Sequence, residues 1–243
     1  MRRMFGIAML LCLTSAPVVS SAQTIPYQLS SGEYGFAIEP GIQEDMTSLL
    51  GAFRYGIFHN ISGSLTLGLS SVEEKLILGD LVLPGFSIPL VPVFAIGLGA
   101  ANGLGQTGLN YWLSVDSGFT FGELVYDPTG ETVVTLRTAA IITRAGLMKR
   151  IGIGRGLVFA PLAGISNRQT WAELGSDLIN MTQETKSDNI WSGQAGLAVE
   201  VSSKLIITGA VEFSFKEESQ IFSIADFDRS HIVAYSVALS FRP

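Results

Sequence analysis

The closing stretch of the chain restricts its fold more than any other. Between His231 and Phe241 the odd positions from 233 read Val, Tyr, Val, Leu, Phe, and the even positions from 234 read Ala, Ser, Ala, Ser. Alternate side chains of a β-strand face opposite sides, so one face here is large and apolar and the other small and weakly polar. A half-buried sheet in water sets charge against its apolar face. Neither face of this segment carries charge before Arg242. A strand that is apolar outside and small and polar inside is the unit of a transmembrane barrel.

Composition agrees. Of 243 residues, 47% are hydrophobic and only 15% charged, against a usual charged share of about 25%. Mean hydropathy is +0.40. Beyond the N-terminus no run approaches the ~20 apolar residues that a membrane helix needs. The longest candidate, Ile88 to Ala101, is broken by Pro89, Pro92, Gly97 and Gly99. Apolar surface spread over alternating strands reconciles these facts, and 27 glycines suit strands and turns. A formal charge of −6 and a pI near 4.9 exclude a nucleic-acid binder with a basic footprint.

The N-terminus reads as a secretory signal, residues 1–22. Met1-Arg2-Arg3 is a basic start, Phe5 to Leu13 a short apolar core, and Ser20-Ser21-Ala22 a small-residue cleavage site. Cys12 lies inside the apolar core without a lipoprotein box, so the mature chain, 23–243, is expected to hold no cysteine, disulfide or zinc–thiolate site.

Along the mature chain, strands are expected at Glu33–Glu39, Leu49–Phe58, Gly63–Ser70, Val91–Gly99, Leu109–Tyr126, Glu131–Met148, Leu157–Ile165, Trp191–Val201, Leu205–Phe215 and the closing stretch. In the sixth, Val134, Leu136, Ala140 and Ile142 are taken as the outward face, with Arg144 breaking the alternation. Residues 75–83 either extend the third strand or belong to an apolar loop broken by Pro84-Gly85. Long connections at 40–48, 71–89, 167–189 and 216–229 alternate with short ones at 59–62, 100–108, 149–155 and 202–204; the turn Asp127-Pro128-Thr129-Gly130 is the short exception. The fold class is therefore all-β: a single antiparallel transmembrane barrel of about ten strands, with eight to twelve compatible, short turns on one side and longer loops on the other.

With these features the chain resembles a bacterial outer-membrane β-barrel protein of the small porin-like kind. The resemblance rests on the exported N-terminus, the hairpin from Phe53 to Leu65 and the closing strand. It implies export through the Sec pathway, outer-membrane lipid as surroundings, and short turns in the periplasm. It also implies that Val233, Tyr235, Val237, Leu239 and Phe241 form a C-terminal signal read by the barrel assembly machinery. Arg242 and Pro243 depart from the usual aromatic end.

If apolar faces meet lipid, Arg54, Asp116, Arg137, Glu200 and Glu212 line the lumen, with Glu39 a sixth candidate. Facing lipid at mid-depth, an Arg costs about 2–4 kcal/mol. These charges either bias ion passage or pair and plug the bore, and the small bore of about eight to ten strands favours plugging. Tyr34, Phe53, Tyr55, Tyr111, Trp191, Phe215, Tyr235 and Phe241 suit interfacial belts. His59 reads as a solvated turn residue. His231, near Asp226, Asp228 and Arg229, is the one candidate for rim hydrolase chemistry, but no nucleophile at a recognisable spacing accompanies it. The glycine pairs open no helix and are not phosphate loops. The expectation is a non-enzymatic barrel without cofactor or metal, acting as a small channel for solutes or as a structural, surface-interacting barrel. The rival readings are an outer-membrane hydrolase, a soluble periplasmic barrel holding an apolar ligand, and a transporter of hydrophobic compounds gated by Leu81 to Val93.

Overall fold

A computed structural model of the chain describes residues 29–43, 46–78, 81–104, 107–125, 133–154, 156–176, 186–215 and 233–241. The signal segment 1–22, the turn at 127–130, His231 and Arg242-Pro243 lie outside them. Among the described residues there are eleven strands: β1 (Tyr34–Gln43), β2 (Met46–Phe58), β3 (Ile61–Leu78), β4 (Leu81–Gly103), β5 (Leu109–Val125), β6 (Val133–Lys149), β7 (Ile151–Gly154), β8 (Leu157–Ser176), β9 (Lys186–Glu200), β10 (Leu205–Ser214) and β11 (Val233–Phe241). Consecutive strands pair antiparallel except β6 and β7, β1 pairs with β11, and β6 pairs with β8. The ten long strands thus close on themselves. β7 is a four-residue continuation of β6 past Arg150, exposed throughout, that forms a short ear with the start of β8.

The ladders fix the geometry of closure. From Ile38 one path runs through Gly51, Leu67, Phe94 and Phe119 to Ala139 of β6. The other runs through Leu239, Ile207, Val199 and Phe159 to Ile151, twelve residues further along the same chain direction (151 − 139). A stagger of twelve over ten strands requires a steep tilt, within the usual range of about 35–45°.

Prolines fall where ladder bonds are missing. The β1–β11 ladder skips Glu39 and Pro40, and the ladder against β8 breaks at Arg150, beside Pro161. A proline has no N–H to give, so both sites tolerate it. Asn60, at φ +73°, turns β2 into β3.

The outward face is apolar at belt height. Leu65, Leu67 and Leu69 of β3, Tyr111 to Phe119 of β5, Trp191 and Leu197 of β9, and Tyr235 to Phe241 of β11 are all exposed at alternate positions. The outward row on β5 from Tyr111 to Phe119, apolar but for Ser117, spans nine residues, the length that crosses a bilayer on a tilted strand, about 9–11. Aromatic pairs brace both margins: Phe36 and Phe53 meet at 5.2 Å with their rings tilted by 50°, and Phe213 and Phe215 meet edge-on at 5.5 Å.

Three expectations need correction. The outward face of β6 is the opposite one: Ile142 is 1% exposed inside while Ile141 is 41% exposed outside. Ala139 to Ile142 is apolar at both parities, so alternation alone cannot choose; Arg144 does choose, because it lies inside at 3% exposure. No bulge interrupts β6 there. Second, residues 40–48 and 167–176 are largely strand, not loop. Third, the connection at 71–89 is strand, in line with the strand-extending of the two readings of 75–83: Val72 pairs with Ile88 and Leu78 with Leu81. At 40–48 and 167–176 polar residues stand at both parities, and at 71–89 apolar residues do, so alternation marks no strand there.

Candidate functional site: the barrel interior

Inward positions are small or polar on most strands, which leaves room for a few long side chains to cross the lumen. The midsection carries the charge. Arg144 donates from Nη1 to Asp116 Oδ2 at 2.9 Å, and their side chains are 3% and 16% exposed. Ser114 Oγ donates to the same oxygen at 3.3 Å, and Ser64 Oγ reaches Oδ1 at 3.5 Å from two strands away. Gly97 stands between them on β4, and its lack of a side chain makes the crossing possible: a Cβ there would fall 2.0 Å from Asp116 Oδ1 and 2.6 Å from Ser64 Oγ.

On the facing wall Ser166 Oγ donates to Glu212 Oε1 at 2.7 Å, again skipping a strand. Arg168, almost fully buried on β8, feels the charges of Glu212 and Arg144. Glu39 is 2% exposed on β1 and Arg54 part-buried on β2. The described interior therefore sets Arg54, Arg144 and Arg168 against Glu39, Asp116 and Glu212. Buried charges persist only with counter-charges or hydrogen bonds, and here the two signs match in number.

An apolar floor lies towards the short-turn end. Trp112 lies across Gly146 and Gly164, where an added Cβ would come within 2.6 and 3.0 Å of the indole. Ala101, Ala160, Leu162, Ala198 and Ile206 complete the layer, with Met148 packed against it. A second apolar cluster, Ala37, Leu50, Ala52 and Val93, lines the opposite wall.

The N-terminal residues lie against β2 at the same end. Leu29 is 2% exposed, Gly32 N–H donates to Gly56 O at 2.9 Å, and Gly56 N–H donates to Glu33 O at 2.8 Å. Ser31 Oγ donates to Ile57 O at 3.2 Å. Gly56 faces the lumen, and a Cβ on it would meet Ser30 O at 2.0 Å. Residues 29–33 thus form a strap along the end of β2.

Among the sequence candidates, Asp116 and Glu212 enter the central networks. Glu200 sits instead at the short-turn rim, paired with the half-exposed Arg150 at 2.6 Å. Arg137 lies in β6 seven positions before Arg144 along an unbroken ladder, so the two positions fall on opposite faces, and the side chain of Arg137 is outside the described set. His59 is an exposed turn residue. Arg144 and Arg168 were not foreseen. The alternation Ser166, Arg168, Thr170 against Ile165, Asn167, Gln169 carries the signal for the second, masked by its overall polarity. No group of three His, Cys, Asp or Glu side chains among the described residues is placed to hold a metal ion.

No protein-family model matches the chain, and no curated protein matches it. Among solved structures it is similar to the translocator domain of the autotransporter NalP from Neisseria meningitidis, at 10% identity over 98% of either chain and a TM-score of 0.49. It is also similar to Ail, the attachment invasion locus protein of Yersinia pestis, at 12% identity over 88% of this chain and 99% of that one, TM-score 0.41. A third likeness is the outer membrane protease OmpT from Escherichia coli, at 11% identity over 87% of this chain and 94% of that one, TM-score 0.35. All three are distant, and the closed barrel rests on its own strand ladders.

Proposed function

We propose that the chain is an integral barrel of a bacterial outer membrane, closed at rest, which serves as a scaffold presenting its outer hairpins rather than as an open pore or an enzyme. The observation that carries this reading is the sealing of the lumen: Trp112, Arg144 and Gln194 are each 3% exposed, Leu50 1% and Ser166 1%, on five different strands. Side chains lining an aqueous channel stay wet; these do not. The outward apolar belt argues against a soluble barrel, which would turn its apolar face inward. The β3–β4 hairpin supports the presenting role, because its 18 and 23 residues far exceed the ~10 that cross a bilayer. Export by residues 1–22 and recognition of Val233, Tyr235, Val237, Leu239 and Phe241 by the assembly machinery belong to the same proposal. Liposome swelling with a small sugar tests it. Vesicles carrying folded protein should swell no faster than empty ones, whereas swelling graded by solute size would establish a channel and overturn the reading.

A further inference from the structure

One buried cation of the lumen meets no carboxylate among the described residues. Asp116 is taken up by Arg144, Ser64 and Ser114, and Glu212 accepts from Ser166. Arg54 and Glu39 each have partners. Arg168 is 9% exposed, forms no ion pair with a described residue, and its Nε–H has no acceptor there. Two positions on, Thr170 is 4% exposed and its hydroxyl is likewise unpartnered. Both side chains are inward on β8, on the outer side of the charged midsection. Glu212 pairs with Gln194 and Gln194 with Gly164, so that acid arises four residues nearer the floor than Arg168 (168 − 164). The walls beside the guanidinium are apolar. Ile142 and Ile190 pair with Arg168 from either side and are 1% and 8% exposed. Beyond Ile142 the wall falls back: Ala140 pairs with Thr170, Gly118 pairs with Ala140, and both are buried inward positions. Asp188 holds the register position on the other side of Thr170, and its side chain is outside the described set.

A buried guanidinium needs acceptors for its N–H groups. Its planar fork matches the two oxygens of a carboxylate, which it can hold bidentately, and a hydroxyl two residues away can donate to one of the same oxygens. Small-molecule sites have this composition, a mostly apolar lining with a few placed polar groups. Phosphate and sulfate carry more charge and no hydrocarbon, so apolar walls and a single fork suit them poorly. A carboxylate with a small apolar body satisfies the fork and covers the isoleucines together.

We propose that Arg168 and Thr170 form a binding site, inside the outer half of the barrel, for a small monocarboxylate whose apolar body lies over Ala140 and Gly118 between Ile142 and Ile190. The site goes beyond the presenting role and needs only the closed ladders, so conductance neither supports nor removes it. The experiment is equilibrium dialysis of radiolabelled benzoate against the full chain in lipid nanodiscs, with uptake by empty nanodiscs subtracted. The unsubstituted protein should bind one benzoate per chain saturably. Benzamide, which keeps the ring and loses the charge, should not displace it at equal concentration. Arg168→Gln should weaken binding about tenfold or more, and Thr170→Val about threefold, with heat-modifiable migration retained. Ala140→Phe keeps both polar groups and fills the step beside them; it should abolish binding, and it carries the test if Arg168→Gln does not fold. The absence of saturable binding by the folded, unsubstituted protein would overturn the proposal, as would equal binding by Arg168→Gln. Binding that appears only in Asp188→Asn would overturn it as well, because the carboxylate of Asp188 would then be the partner of Arg168.

Discussion

Asp116→Ala isolates the bond on which the closed midsection depends most. The carboxylate lies 2.9 Å from a guanidinium that is 3% exposed, and it also accepts from Ser64 and Ser114. Removing one partner of a buried ion pair costs about 3–5 kcal/mol, because the remaining charge loses its compensation. Asp116 is 16% exposed, so water relieves part of that, and the expected loss is about 3 kcal/mol. Removing both charges is different. In Asp116→Leu/Arg144→Met no ion is left stranded, and the double variant should lie within about 1 kcal/mol of the unsubstituted protein. The assay is reversible urea unfolding in lipid vesicles, followed by tryptophan fluorescence, with all members at one pH and salt. A loss below about 1 kcal/mol for Asp116→Ala, or a double variant no better than the single, would refute the claim that a buried pair holds the midsection.

Other expectations follow from the same geometry. Glu200→Gln breaks a shorter contact, 2.6 Å, but its partner Arg150 is 49% exposed, so the same unfolding assay should register less than about 1 kcal/mol. Trp112→Ala empties the floor over Gly146 and Gly164 and should cost about 3–5 kcal/mol, checked by the midpoint of urea unfolding. Gly56→Val drives a side chain into Ser30 O and should lift the strap. A single cysteine at Ser240, 2% exposed in the lumen, should then react faster with a membrane-impermeant maleimide than it does without the valine; an unchanged rate would mean that the strap does not cover the mouth.

The sequence made the barrel readable wherever one face was bulky and the other small. β2, β3, β5, β10 and β11 obey that rule, and their outward faces could be assigned from alternation alone. It failed where both parities are apolar, as at Ala139 to Ile142, and where both are polar, as beyond Ser166. In each case the deciding information is non-local: Arg144 is inward because Asp116 awaits it two positions off the paired row, and Arg168 shares the inward face of β8 with Ser166, which bonds Glu212 of β10. The gap at Gly97 that admits the Asp116–Ser64 contact is visible in sequence as a glycine, but its purpose emerges only when β3, β4 and β5 are set side by side. Nothing local marks Leu29 as a residue that will be buried against a strand.

The most direct test of the closed lumen is planar-bilayer conductance of the full-length barrel, refolded and shown to be folded by heat-modifiable migration. The unsubstituted protein should give no discrete steps at any holding voltage that leaves the bilayer intact. Reproducible steps whose ion selectivity shifts on Asp116→Asn would contradict the sealed lumen and place that carboxylate in a conducting path.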